Sequence, residues 1–369
     1  MAIDRRFLLH GMAAAPAAWL AVPNLVSGVM ASPGSPQLLG AWEAPEGGFG
    51  AGTPDGAIAI TLPDRGHDIA VAPDGRSAVV FGRRPGFFAA VIDLEDGTLL
   101  AMLESPQGRH FYGHGTFSAD GALLFATENA YETGEGRLAI YDARDGYRRI
   151  GDWTSHGIGP HDLALSRDGK ALIAANGGVQ THPDRDREKL NLDTMAPSVA
   201  LIAIADGSLL AEARPPQDWH QLSTRHVWVA PDGRIAVGMQ WEGDPFEMVP
   251  LVATWDGAGE LFLCDEGEPA NLALKGYTGA IAFDPTGTII AATSPQGHSA
   301  GIWRSDDLTP LASIPVPEVC GLCPGMAPGT VIMSSALGGL WSVDADGTQH
   351  ALDQETPARL WDNHLRWIA

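Results

Sequence analysis

The sequence predicts an all-β protein, a single seven-bladed β-propeller. Three observations carry the prediction. A strand–turn–strand unit recurs along the chain, its period matches a propeller blade, and most units contain a second Asp-Gly turn. The first unit runs from His67 to Phe81 (HDIAVAPDGRSAVVF), two apolar strands flanking a Pro-Asp-Gly turn. It returns at Gly115–Phe125, His161–Gly169, His226–Gly233, Ala280–Gly287 and Leu322–Gly329. The turn glycines fall at 75, 121, 169, 233, 287 and 329, with spacings of 46, 48, 64, 54 and 42. A period near 40–50 residues with four short strands per unit is the propeller signature.

The second turns are Glu95-Asp96-Gly97, Arg144-Asp145-Gly146, Ala205-Asp206-Gly207 and Ala345-Asp346-Gly347. Each unit therefore reads as inner strand, Asp-Gly turn, strand, variable loop, strand, Asp-Gly turn, outer strand. Six copies are complete. The seventh is expected to be shared between the chain ends, with an inner strand around His364–Ile368 and later strands at Leu38–Trp42 and Ala57–Thr61. Joining the ends in one blade would close the ring and remove open sheet edges.

The propeller is expected over 32–369. Before it, Arg5-Arg6, the apolar run from Met12 to Val22 and small residues up to Ala31 read as a twin-arginine-type signal peptide over 1–31. That signal places the mature protein in the periplasm. Lys+Arg 23 against Asp+Glu 45 gives a net charge of −22, which repels phosphate backbones and excludes nucleic acid as a partner. No run of 18 apolar residues follows the N-terminus, so no stable membrane insertion is expected. Motifs of the common hydrolases, metallopeptidases and nucleotide-binding folds are missing from the sequence.

The chemistry concentrates on one face. Turns alternate between two faces of an antiparallel meander, so the Asp-Gly turns share one face and the variable loops and blade connections share the other. Ten of the eleven histidines after residue 31 fall on or beside loops of the second face, His350 being the exception. His67, His114, His161, His226 and His364 stand where five chain segments lead into inner strands, so they should gather at the mouth of the central channel. Strict alignment on His67 would select Gly113 and Arg225, one residue before His114 and His226. Imidazoles converging on a funnel suit a transition metal such as iron, copper or zinc, or an anionic small molecule.

The variable loops supply candidate ligand-binding residues. Arg83 and Arg84 offer guanidinium forks for carboxylate or phosphate. Glu128 and Asn129, Asn176, and Gln240 follow on later units, with Arg225 beside His226. The long spacing of 64 reflects an insertion from Val179 to Pro197 holding Asn191 and Asp193, long enough to cap a site. Cys320 and Cys323 form a lone CxxC, read as a disulfide or an idle surface pair, and Cys264 as a buried thiol.

The sequence resembles a bacterial family of unknown function. The likeness rests on Arg65-Gly66-His67, Arg83-Arg84-Pro85-Gly86, the runs Arg109–Gly115 (RHFYGHG) and Ser155–His161 (SHGIGPH), and Ala175-Asn176-Gly177-Gly178. Thr181-His182-Pro183, Lys189–Met195 (KLNLDTM) and Leu222–His226 (LSTRH) extend it. The resemblance implies a propeller exported by a twin-arginine signal. It also implies genes beside imelysin-type and di-haem oxidoreductase-like proteins, in clusters linked to iron acquisition.

Taken together, the sequence points to a non-catalytic periplasmic propeller binding a transition metal or a metal chelate. Arg83 and Arg84 would neutralise a chelate's carboxylates, and the loop around Asp193 would close over it. Other periplasmic iron-acquisition proteins are the expected partners. Two alternatives use the same face: a metal-assisted hydrolase of lactonase type or an oxidoreductase, with Glu128 as base, and a scaffold for docking proteins.

Overall fold

The computed structural model describes residues 36–185, 188–352 and 359–368; the expected signal segment lies outside them. The described chain is almost entirely β. Five four-stranded antiparallel sheets follow in chain order, opening with the strands Gly66–Val71, Arg109–Phe117, Pro160–Leu165, Leu222–Val229 and Ala280–Phe283. Each is a meander, as the repeated turns predicted, and the architecture is propeller-like.

The remaining strands form one eight-stranded sheet. One half is the meander that opens with Val319–Pro324. In the other half Leu360–Ile368 pairs antiparallel with Gln37–Glu43, which continues into Phe49–Gly52 and Ala59–Leu62. Both ends of the described chain thus meet in one sheet. The halves are joined by one parallel strand pairing, Leu322 to His364, and by the packing of Cys320 and Cys323 against Trp361 and Leu365. The first strands of successive meanders lie against one another, and Leu360–Ile368 also lies against Gly66–Val71.

Local chemistry explains the turns. Gly75, Gly121, Gly169, Gly233, Gly287 and Gly329 all have φ between 67° and 95°, the left-handed region that glycine enters without a Cβ clash. The aspartate before the glycine also accepts the amide of the residue after it, as Asp74 does from Arg76 and Asp168 from Lys170. Second strands such as Ala171–Asn176 and Ile289–Ser294 are buried throughout, whereas fourth strands such as Pro310–Pro315 are largely exposed.

The core lies between neighbouring sheets. Phe81 and Phe111 meet there at 6.2 Å, and Phe125 stacks on Trp153 at 5.7 Å. Each fully buried large apolar side chain contributes about 1.5–3 kcal/mol. The cysteines depart in part from expectation. Cys264 is a buried thiol, as predicted, but Cys320 and Cys323 are also buried and unbridged. Both lie on the strand Val319–Pro324 and pack into one apolar cluster with Trp361 and Leu365. Among the described residues no helix is long and apolar enough to cross a membrane.

Candidate functional site

The five predicted histidines converge in one cluster, four of them buried and His161 half-buried. His114 lies 4.9 Å from His67, 4.7 Å from His364, 5.0 Å from His161 and 5.7 Å from His226, between ring centres. His161 and His226 are 4.8 Å apart, and His226 and His364 5.1 Å. The other histidines of that face stay outside; His110, for example, bonds the Phe111 carbonyl and contacts Asn129.

Irregular strand register brings the rings inward. Pairing with the second strand is interrupted between Gly66 and Ile69, between Phe111 and Gly115, between Pro160 and Asp162, and between Thr224 and His226. Such bulges re-aim side chains that an unbroken period of two would direct elsewhere. They also explain the one-residue offsets in the repeat alignment. At Gly113 the backbone has φ of 106°, and an added Cβ would lie 2.9 Å from His67 Cδ2. Glycine at that bulge is what lets His67 and His114 approach.

Three buried aspartates stand behind the imidazoles. His67 Nδ1 bonds Asp362 Oδ1 at 2.6 Å, and His114 Nδ1 lies 3.1 Å from Asp68 Oδ2 and 3.2 Å from Asp162 Oδ1. His226 Nδ1 is 3.8 Å from Asp162 Oδ2, too long for a hydrogen bond. Arg65 at 2.5 Å and Arg83 at 3.2 Å hold Asp362, and Arg366 at 2.8 Å holds Asp68. A carboxylate behind an imidazole fixes its tautomer and turns the opposite nitrogen into a better donor, the arrangement found around metal-ligating histidines.

The electrostatics split the cluster. Burial pushes His67 down to about 4, despite the pull of Asp362. Burial also acts on His114, but the charge of Asp162 and hydrogen bonds to Asp162 and Asp68 overcome it and push His114 up to about 9. Burial lowers His161, His226 and His364, and neighbouring imidazoles add to the effect. Asp362 is held far below the usual carboxylate range, Arg83 and His67 outweighing its burial. His114 is thus raised where the other four imidazoles are lowered.

Several nitrogens in this cluster are buried without a hydrogen-bond partner among the described residues: His114 Nε2, His161 Nδ1, His226 Nδ1 and His364 Nε2. At about 1–3 kcal/mol each, four such atoms cost an amount comparable with the ~5–15 kcal/mol net stability of a domain. Two trios place their donor atoms within 4.8 Å of one another, His67–His114–His364 and His114–His161–His226. Two ~2.1 Å metal–nitrogen bonds at a tetrahedral angle span about 3.4 Å, so small ring rotations bring either trio onto an ion. Asp68, His114 and Asp162 form a third such group.

Above the cluster opens a cavity of about 610 Å³, with His67, His161 and His226 among its lining residues. Arg83, Arg84, Arg225 and Gln240 line it, as do Arg65, Tyr112 and Lys189. The other named candidates lie elsewhere. Glu128 is fully buried between Arg109 at 3.2 Å and Arg149 at 2.6 Å. Asn129 donates to the Thr181 carbonyl and Asn176 to the Ser155 carbonyl. Asn191 braces the insertion through the Gln180 amide and the Gly178 carbonyl, and Asp193 is exposed. From that insertion Lys189, not Asp193, reaches the cavity and pairs with Glu242.

Sequence reasoning passed over Asp68, Asp162, Asp362, Tyr112 and Lys189. A signal for the aspartates was present: His67-Asp68 and His161-Asp162 repeat a dipeptide at the same point of two units, and Asp362 lies two residues before His364.

Among solved structures, the chain is similar to hydrazine synthase of Kuenenia stuttgartiensis. The TM-score is 0.59 at 16% identity, over 90% of this chain and 100% of that one. At that identity the likeness speaks for the fold alone. No curated protein matches the sequence. A family profile described as "Protein of unknown function (DUF1513)" matches residues 60–368, and the chain belongs to that family.

Proposed function

We propose that this protein is a periplasmic propeller of seven blades, its ring closed by the sheet shared between the chain ends, that binds a transition-metal ion at the buried imidazole cluster. In this reading it is exported by the twin-arginine route and serves metal acquisition, iron above all, beside imelysin-type and di-haem oxidoreductase-like partners. One observation carries the metal site: four imidazole rings, each with a nitrogen that has no hydrogen-bond partner among the described residues, converge with His67 in one cluster, two of whose rings are backed by carboxylates. Imidazole donors suit iron, copper, zinc or nickel. The buried thiols Cys320 and Cys323, both pushed up to about 12 by burial, are poor competing ligands because metals bind thiolate.

A second reading, a metal-assisted hydrolase or oxidoreductase, draws support from the half-buried His161 facing an open cavity, which leaves room for substrate beside the ion. Glu128 is a poor base for it, being locked between two arginines.

Cobalt(II) titration followed by visible absorption tests the proposal. Wild-type protein is expected to develop ligand-field bands that saturate at one equivalent. His114→Ala and His364→Ala, checked for folding by circular dichroism, should lose at least tenfold in affinity. A wild type without such bands, or variants that bind equally well, would sink the metal reading.

A further inference from the structure

We infer that the cavity above the imidazole cluster is a subsite for a small organic polycarboxylate. The inference rests on the reading of this funnel as a ligand site, but it can fail separately, because its determinants are not the imidazoles.

The first observation is charge. In a chain of net charge −22, five cationic side chains line one cavity: Arg65, Arg83, Arg84, Lys189 and Arg225. Their nearby acids are shared. Asp362 serves both Arg65 and Arg83, and Glu242 serves both Arg225, at 2.8 Å, and Lys189. Among the described residues Glu318 is the one carboxylate lining the cavity, and it faces His298 at 3.5 Å. Among the described residues, each shared carboxylate leaves one positive charge uncompensated.

The second observation is independent of charge counting. Arg225 is 6% exposed, and among the described residues its Nε has no hydrogen-bond partner; Tyr112 is 2% exposed, and its hydroxyl has none there either. Both line the cavity. A guanidinium N–H is a donor with no acceptor capacity and does not deprotonate. Buried and unmet, Arg225 Nε therefore calls for an acceptor brought by a ligand, and the phenol of Tyr112 can donate to the same ligand.

These features define the ligand class. It accepts hydrogen bonds, it is anionic, and it carries at least two acidic groups, because two cation pairs need to be met. Planar guanidinium forks match planar carboxylates in bidentate fashion. A volume of about 610 Å³ far exceeds one tetrahedral oxyanion and suits a compact organic acid.

Isothermal titration calorimetry on protein verified as metal-free by elemental analysis tests this, with citrate, acetate and inorganic phosphate as probes. Citrate should bind one per chain, at least 30-fold more tightly than acetate or phosphate, and weaken as salt rises. Arg225→Gln should weaken citrate at least tenfold. Lys189→Gln, at a partly exposed position that leaves folding intact, should weaken it severalfold. No citrate binding, or acetate and phosphate binding equally well, overturns the inference. If citrate binds while cobalt(II) does not, only the metal reading fails; the reverse result fails only this one.

Discussion

At the scale of single residues, the site holds imidazoles whose pKa values are shifted in opposite directions. His114 has its folded pKa raised to about 9, so its stabilising contribution is fully present below the ordinary value of 6.5 and is lost as pH rises through 9. His67 is lowered to about 4, so its contribution is present above 6.5 and is lost as pH falls towards 4, and the lowered pKa values of His161 and His364 work in the same direction. Thermal midpoints of metal-free protein are thus expected to fall on both sides of a maximum near neutrality. His114→Asn should flatten the limb between pH 7 and 9, and an unchanged limb would show that His114 carries no proton there. The histidines were legible in the sequence because they recur at one point of a repeating unit. Their partner Asp362 was not, since nothing in local spacing brings it to His67, 295 residues away.

At the scale of elements, the interrupted first strands decide which side chains face inward. Repeat alignment located these strands and their turns, yet missed the geometry, because a bulge changes facing without changing composition. The offsets at Gly113 and Arg225 were its trace in the sequence. Gly113→Ala makes the point testable. Alanine at φ of 106° is strained by roughly 1–3 kcal/mol, and its Cβ would also press on His67. The expected result is a lower thermal midpoint together with at least tenfold weaker cobalt(II) binding. Lost stability with unchanged binding would mean that the bulge supports the fold and not the cluster. The insertion from Val179 to Pro197 was legible from the long spacing between turn glycines. Which residue it delivers was not: Lys189 reaches the funnel and Asp193 remains outside.

At the scale of the whole molecule, the cluster depends on both ends of the described chain. Leu360–Ile368 carries Asp362, His364 and Arg366, and is held by Gln37–Glu43 on one side. The cluster therefore draws together residues from His67 to His364, and complete folding is a condition of its existence. The overall charge of −22 gave no hint of a cationic funnel, because composition averages over surfaces that the fold separates. The most direct test of the central claim, that the imidazole cluster holds a metal, is the elemental content of the protein isolated from its native compartment without an affinity tag or chelator. The account predicts about one transition-metal ion per chain, lost in His161→Ala. A protein that emerges without metal and takes up none of iron, copper or zinc on titration would contradict it.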